Sequence, residues 1–286
     1  MQYVYSLLVL IGIYVTLSAS FNLIIGYGGL ISIAHPIFFA FGAYTSALLG
    51  IHFGVPAPLA IAAGMLVALG GSFALSLPSL RISGDYLMIA SIGFQLGMLQ
   101  VIKNVDFTGG AGGLGNIPSV LAGDTRDIVF AAASLAMAFG IVAFIRWLVR
   151  SPYGRAITAM RDDELAFLTL GRNAMNIKLV IFALGSGFAG LAGGVYAYYF
   201  LYLSPDQFEI LQSATILTMV VVGGMGSTLG PVVGGVLLLA LPQTISFLHL
   251  PPSIMGPLQG VIYTLLVLIF LFVRPQGLVA AARRPG

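Results

Sequence analysis

Charge is scarce in this chain, and cysteine is absent. Only 7% of the 286 residues are charged, against about 25% in a soluble domain, too few to build a water-facing surface. Without cysteine there is neither a disulfide nor a thiolate metal site. The three histidines, His35, His52 and His249, include no close-spaced metal pair. The nine acids all fall in or beside expected loops, so no apolar stretch carries a carboxylate for a coupling ion. The net charge of +3 reflects loop topology and points to no nucleic-acid partner.

What is abundant is apolar surface, at 59% of residues. A helix rises about 1.5 Å per residue, so roughly 20 apolar residues cross the hydrocarbon core. The run from Ile128 to Trp147 is continuous, whereas a barrel strand alternates apolar and polar over about ten residues. The expected fold is all-α, a polytopic inner-membrane helical bundle surrounded by the lipid bilayer. Nine spans are expected, within a range of eight to ten: Tyr3–Ile25, Leu30–Phe53, Pro58–Leu77, Tyr86–Ile102, Ile128–Leu148, Leu179–Leu201, Leu211–Val222, Leu229–Phe247 and Gly256–Val273. Met1-Gln2 offers no basic region before the first span, which is therefore read as retained. Glycine and proline make the second and seventh candidates for broken or re-entrant helices, tolerated where they are buried or line a cavity.

Six of the twelve basic residues (Arg146, Arg150, Arg155, Arg161, Arg172, Lys178) lie in one segment, and Arg274, Arg283 and Arg284 lie at the tail. The positive-inside rule makes both regions cytoplasmic, with the N-terminus and the segment 106–127 outside. The run Gly109-Gly110-Ala111-Gly112-Gly113 is no phosphate loop, because Leu114-Gly115-Asn116-Ile117-Pro118 follows where a Lys-Ser/Thr pair is needed.

The stretch 151–171 carries most information. Ser151 suits a helix N-cap, Pro152 its first turn and Gly171 its end. Ile157, Met160, Leu165 and Leu168 recur near helical spacing, giving one or two short amphipathic helices. The acids Asp162-Asp163-Glu164 would be repelled by anionic headgroups, so docking in a protein groove is favoured over lying on lipid.

Glu164-x-Ala166-x-x-x-x-Gly171 resembles the coupling motif of permeases in ATP-binding-cassette (ABC) importers. Tyr153-Gly154-Arg155-Ala156, Leu170-Gly171, Lys178-Leu179 and Ala189-Gly190-Leu191-Ala192-Gly193-Gly194 resemble the branched-chain amino acid permease family, LivM type. So do Gly26-Tyr27-Gly28-Gly29 with Ser32, His35, Phe38-Phe39 and Gly42-Ala43-Tyr44, and Gly223-Gly224-Met225-Gly226-Ser227-Thr228 with Gly230-Pro231-Val232. The resemblance implies a single transmembrane permease domain, 1–286, with a cytoplasmic coupling segment at 151–178. It implies a homologous LivH-like permease partner, two ATP-binding subunits and an external solute-binding protein. ATP and magnesium would be bound by those partners, with no cofactor on this chain. The solute would be a branched-chain amino acid or a related small polar or organic solute. A secondary transporter or a channel is the alternative; a channel needs no docking helix.

Coupling to an ATP-binding subunit is assigned to Arg155, Arg161, Asp162, Asp163, Glu164, Ala166 and Gly171, and the translocation path to Ser32, His35, Pro36, Gln95, Ser227 and Pro231. A charge at the bilayer centre costs about 2.5–3.5 kcal/mol, so His35 is expected neutral. Asn22 is read as an interhelical hydrogen bonder, and Arg81 with Asp85 as a local pair. Small residues (Gly185, Gly187, Gly190, Gly193-Gly194, Gly234-Gly235) allow close helix packing. Gly28-Gly29 and Gly223-Gly224 are each followed by serine and proline at matching offsets, so Ser32–Pro36 and Ser227–Pro231 are expected at similar depth as repeated helix breaks.

Overall fold

A computed structural model describes residues 2–79, 85–120, 124–246 and 277–279, with isolated positions 261, 264, 265, 268 and 272. The described chain is helical throughout its regular elements: α1 (Gln2–Asn22), α2 (His35–Phe53), α3 (Ala57–Ser79), α4 (Asp85–Asn104), α5 (Asp124–Arg150), α6 (Pro152–Asp162), α7 (Glu164–Thr169), α8 (Ala174–Phe200), α9 (Ile210–Gly223) and α10 (Gly230–Ser246). α1 runs on into one π-helical turn, Leu23–Tyr27. Among the described residues, six helices are long and apolar enough to cross a membrane, the stretches Tyr3–Tyr27, His35–Phe53, Ala57–Leu77, Tyr86–Asn104, Thr125–Arg150 and Ala174–Phe200. The protein is a polytopic membrane bundle.

The seventh and eighth expected spans are short. α9 has 14 residues, about 21 Å of rise against a core of about 30 Å. A 3₁₀ turn, Pro205–Phe208, precedes it and the non-helical residues 224–229 follow it. The ninth expected span, Gly256–Val273, lies largely outside the described residues. Val261, Leu265, Leu268 and Phe272 are helical and expose apolar side chains at steps of four, three and four.

The second span starts later than the apolar pattern suggests, at His35 instead of Leu30. The preceding residues find side-chain partners for their backbone: Ile33 N donates to Ser91 Oγ at 2.9 Å, and Ile33 O accepts from Ser213 Oγ at 2.6 Å. Pro36 fits the first turn of α2, where a missing N–H costs nothing.

α8 forms the spine. α2 and α3 pack along it and α1 lies between it and α5. Glycine makes the α2–α8 approach possible: side chains added at Gly42 or Gly193 would run into the backbones of Gly190 and Phe39.

Two ends of the bundle are defined by their contacts. At one, His52 stacks on Phe107 with ring centroids 5.1 Å apart, Leu114 bridges Leu203, and Lys103 pairs with Asp206 at 2.8 Å and Glu209 at 3.0 Å. At the other, α6 meets the π-turn after α1 and residues 224–229. Gly277–Val279 are also there, with Leu278 N and Val279 N donating to Val222 O and Gly223 O at 2.9 Å each.

Candidate functional site

The segment between α5 and α8 is two helices at an angle. Ser151 Oγ caps α6 by accepting from Gly154 N at 3.3 Å, and Asp163 Oδ1 caps α7 by accepting from Ala166 N at 2.9 Å. Asp163 is extended, with φ −153°, so it both ends α6 and begins α7. Gly171 closes the segment at φ +72°, a conformation glycine adopts without a Cβ penalty.

That break divides the apolar stripe. Ile157 and Met160 point into the bundle and are buried, whereas Leu165 and Leu168 face out. Phe167 is the buried anchor of α7, and Leu170 adds a third outward leucine. Burial raises the Tyr153 phenol above its ordinary pKa, so it packs between polar surroundings and core as a neutral ring.

The residues assigned to coupling separate accordingly. Arg155, Asp162, Asp163, Ala166 and Gly171 are exposed at this end. Glu164 turns back into an ion pair with Lys178, 2.6 Å away. Arg161 also turns inward. Its Nη1 donates to Gly26 O at 2.6 Å, while Nε and Nη2 donate to Asp162 Oδ1 at 3.3 and 3.1 Å.

Asn22 sits one turn above Gly26. Its Nδ2 donates to Ser227 O at 2.8 Å and its Oδ1 accepts from Gly226 N at 2.9 Å. Tyr27 Oη and Thr228 Oγ1 add a 3.2 Å bond between the same two segments. The two glycine-rich motifs of the sequence thus meet face to face.

The six residues assigned to the path fall into linked groups. His35 is buried, with Nε2 3.0 Å from Ser20 Oγ, and its ring lies 4.9 Å from that of Phe21. Its Nδ1 has no hydrogen-bond partner among the described residues. Pro231 O accepts from Ser18 Oγ at 3.0 Å. Ser18 and Ser20 differ by about 3 Å of helical rise, so α1 receives the starts of α2 and α10 at nearly one depth. Ser32 Oγ accepts from Ala34 N, and Ser227 Oγ accepts from Gly230 N at 2.9 Å, each at the foot of the following helix. Gln95 works as a bridge: Oε1 accepts from Ile37 N at 3.1 Å, and Nε2 donates to Phe208 O at 2.6 Å.

Phe208 is fully enclosed, its ring against Phe39 and Tyr44. With Lys103 this makes Pro205–Phe208 a plug at the far end, which sequence patterns did not single out. Arg126, also unassigned, donates to the carbonyls of Tyr198 and Tyr199 and caps the C-terminus of α8. Arg81 lies outside the described residues, as do the side chain of Asp85 and all of His249.

Comparison with known proteins gives one consistent result. Residues 3–271 match a family model described as a branched-chain amino acid transport system permease component. The chain is 32% identical to the high-affinity branched-chain amino acid transport system permease protein LivM of Escherichia coli K12, over 95% of this chain and 68% of that protein. It is 29% identical to a probable LivM permease of Methanocaldococcus jannaschii, over 71% of this chain and 62% of the relative. It is 23% identical to LivH of Escherichia coli K12, over 93% and 90%. No solved structure matches it.

Proposed function

The chain belongs to the branched-chain amino acid transport permease family, and from that membership we infer an importer subunit moving branched-chain amino acids or related small polar solutes. ATP hydrolysis in two partner subunits drives it, and an external solute-binding protein delivers the substrate. Likeness to both LivM and LivH proteins supports a pair of homologous permeases sharing one fold. Nucleotide and magnesium belong to the ATP-binding partners, and no cofactor is assigned to this chain.

The observation that carries this reading is the outward face of α7. Leu165 and Leu170 are 77% and 78% exposed beside a helix that is otherwise anchored by Phe167 and Lys178. Rigid apolar anchors in a polar rim suit a protein groove. Arg155, Arg161, Arg172 and Lys178 gather at that end, which the positive-inside rule makes cytoplasmic in the inner membrane. Gly277–Val279 share that end, which supports the reading of a cytoplasmic C-terminus.

The test is reconstitution. The permease pair, ATP-binding subunits and cognate binding protein in proteoliposomes should take up leucine, isoleucine or valine only with ATP on the α7 side. Uptake of these solutes driven by an ion gradient without ATP would replace this reading with a secondary transporter.

A further inference from the structure

We propose that Arg161 and Asn22 form a relay that carries movement of the α6–α7 segment into both helix breaks at once. The proposal rests on the permease reading above and adds to it the route by which the coupling segment acts.

Consider first the end of the π-turn. The last carbonyls of a helix have no partner within it. Here the carbonyls of Leu23, Ile24 and Ile25 are taken by the N–H groups of Gly28, Leu30 and Gly29, at 3.1, 3.1 and 3.2 Å. The next carbonyl, Gly26 O, is taken by the Arg161 guanidinium. A charged donor on a carbonyl at a helix C-terminus is both charge-assisted and favoured by the helix dipole. Asp162 holds the same guanidinium from the other side, which fixes its direction.

The stem of Arg161 lies against glycine. A Cβ at Gly29, where φ is +68°, would sit 2.5 Å from Arg161 Cγ. At Gly226, φ +72°, a Cβ would lie 3.4 Å from Arg161 Nη1 and 3.3 Å from Gly26 O. The arginine is therefore seated on backbone from both breaks. Asn22 then locks the two together by using its donor on Ser227 O and its acceptor on Gly226 N. Every polar atom of that carboxamide oxygen–nitrogen pair is committed to one loop.

These bonds make one body of α6, the π-turn and residues 224–229. Displacing α6 shifts the Gly26 carbonyl, and the Asn22 clasp moves the base of α10 in the same step. A π-turn suits this position, since its register stores an extra residue that a small shift can release. The relay works only if the docked partner favours one arrangement of this body over another.

The experiment uses the complete transporter, with Met225→Cys, an exposed position in the same segment, as a reporter in this cysteine-free chain. Labelling of that thiol by a bimane reagent is compared without nucleotide and with ATP plus vanadate. The rate should differ between the two conditions by about fivefold or more, the lower range of site-to-site coupling. Arg161→Ala and Asn22→Asp should each remove the difference while ATP hydrolysis and subunit co-purification persist; Arg161→Lys should keep part of it. An unchanged response in Arg161→Ala overturns the relay. So does loss of co-purification in Arg161→Ala and Arg161→Lys alike, which would make the residue a packing element. Absence of any response in the parent transporter counts against the permease reading instead.

Discussion

Lys178 Nζ lies 2.6 Å from Glu164 Oε1 and staples α7 to the start of α8. Only 7% of the lysine side chain is exposed, against 38% for the glutamate. The acid assigned to coupling from the sequence thus pairs inside this chain, at the start of α7. Glu164→Lys would place two ammonium groups together at a buried site. Loss of a partner for a buried charged donor costs about 1–3 kcal/mol, so α7 should detach while the spans stay inserted. Transport by the assembled complex should fall sharply, and the exchange Glu164→Lys with Lys178→Glu should restore much of it. Equal transport by the single and exchanged variants would show that the pair does not position α7.

The outward leucines carry a separate expectation. Burying one leucine side chain contributes about 1.5–3 kcal/mol, which is about tenfold or more in a dissociation constant. Leu165→Ala and Leu170→Ala should weaken capture of the ATP-binding subunits by about that factor. Thermal stability of the isolated permease should not change, because both residues already face solvent. Titration of the detergent-purified permease with the ATP-binding subunit reads the affinity directly.

Local chemistry was legible in the sequence, and contact across the chain was not. Ser151, Pro152 and Gly171 announce the ends of the coupling segment because capping is decided within three residues. The same acids that read as one charged cluster hide a second cap, since nothing in the pattern says that Asp163 turns back on Ala166 N. That cap is why one expected apolar stripe became an inward pair and an outward pair. Arg161 reaches a carbonyl 135 positions away, and Lys103 pairs with Asp206 although α5 to α8 lie between them in the chain; neither spacing leaves a periodic trace. Asn22 was found because an amide inside an apolar run demands a partner, although its partners could not be named. A short seventh span was expected at Leu211–Val222 and α9 matches it closely, but the 3₁₀ turn before it was not foreseen, because its place depends on what Gln95 offers Phe208.

Topology can be checked on the same cysteine-free background. Gly112→Cys is well suited to report the Lys103 end, since a side chain there meets nothing within 4 Å. Gly113 is a poor choice, with φ +82° and Leu203 O 2.5 Å from an added Cβ. In intact cells, with any outer membrane permeabilised, an impermeant thiol reagent should label Gly112→Cys and spare Arg172→Cys. Inside-out vesicles should reverse the pattern. Labelling of Arg172→Cys from outside would invert the orientation and remove the docking role of α7.

The plug at Pro205–Phe208 offers a comparison of two holds on one segment. Lys103 grips Asp206 and Glu209, but Asp206 is 69% exposed, so solvent screens these pairs and they hold the segment weakly. Gln95 holds Phe208 O and Ile37 N in buried surroundings. Gln95→Leu would strip Phe208 O of its buried side-chain donor, at about 1–3 kcal/mol, and leave Ile37 N with Ala34 O alone as acceptor, 3.2 Å away. The buried amide should therefore outweigh the exposed ion pairs. Hydrogen exchange at residues 205–210 measures the opening of this segment. Lys103→Met should speed it by about fivefold or less, as expected for screened surface pairs. Gln95→Leu should speed it by about tenfold or more and loosen the first turn of α2 in the same experiment. A larger effect from Lys103→Met than from Gln95→Leu would make the plug an electrostatic latch, opened by any partner that competes for Asp206 and Glu209.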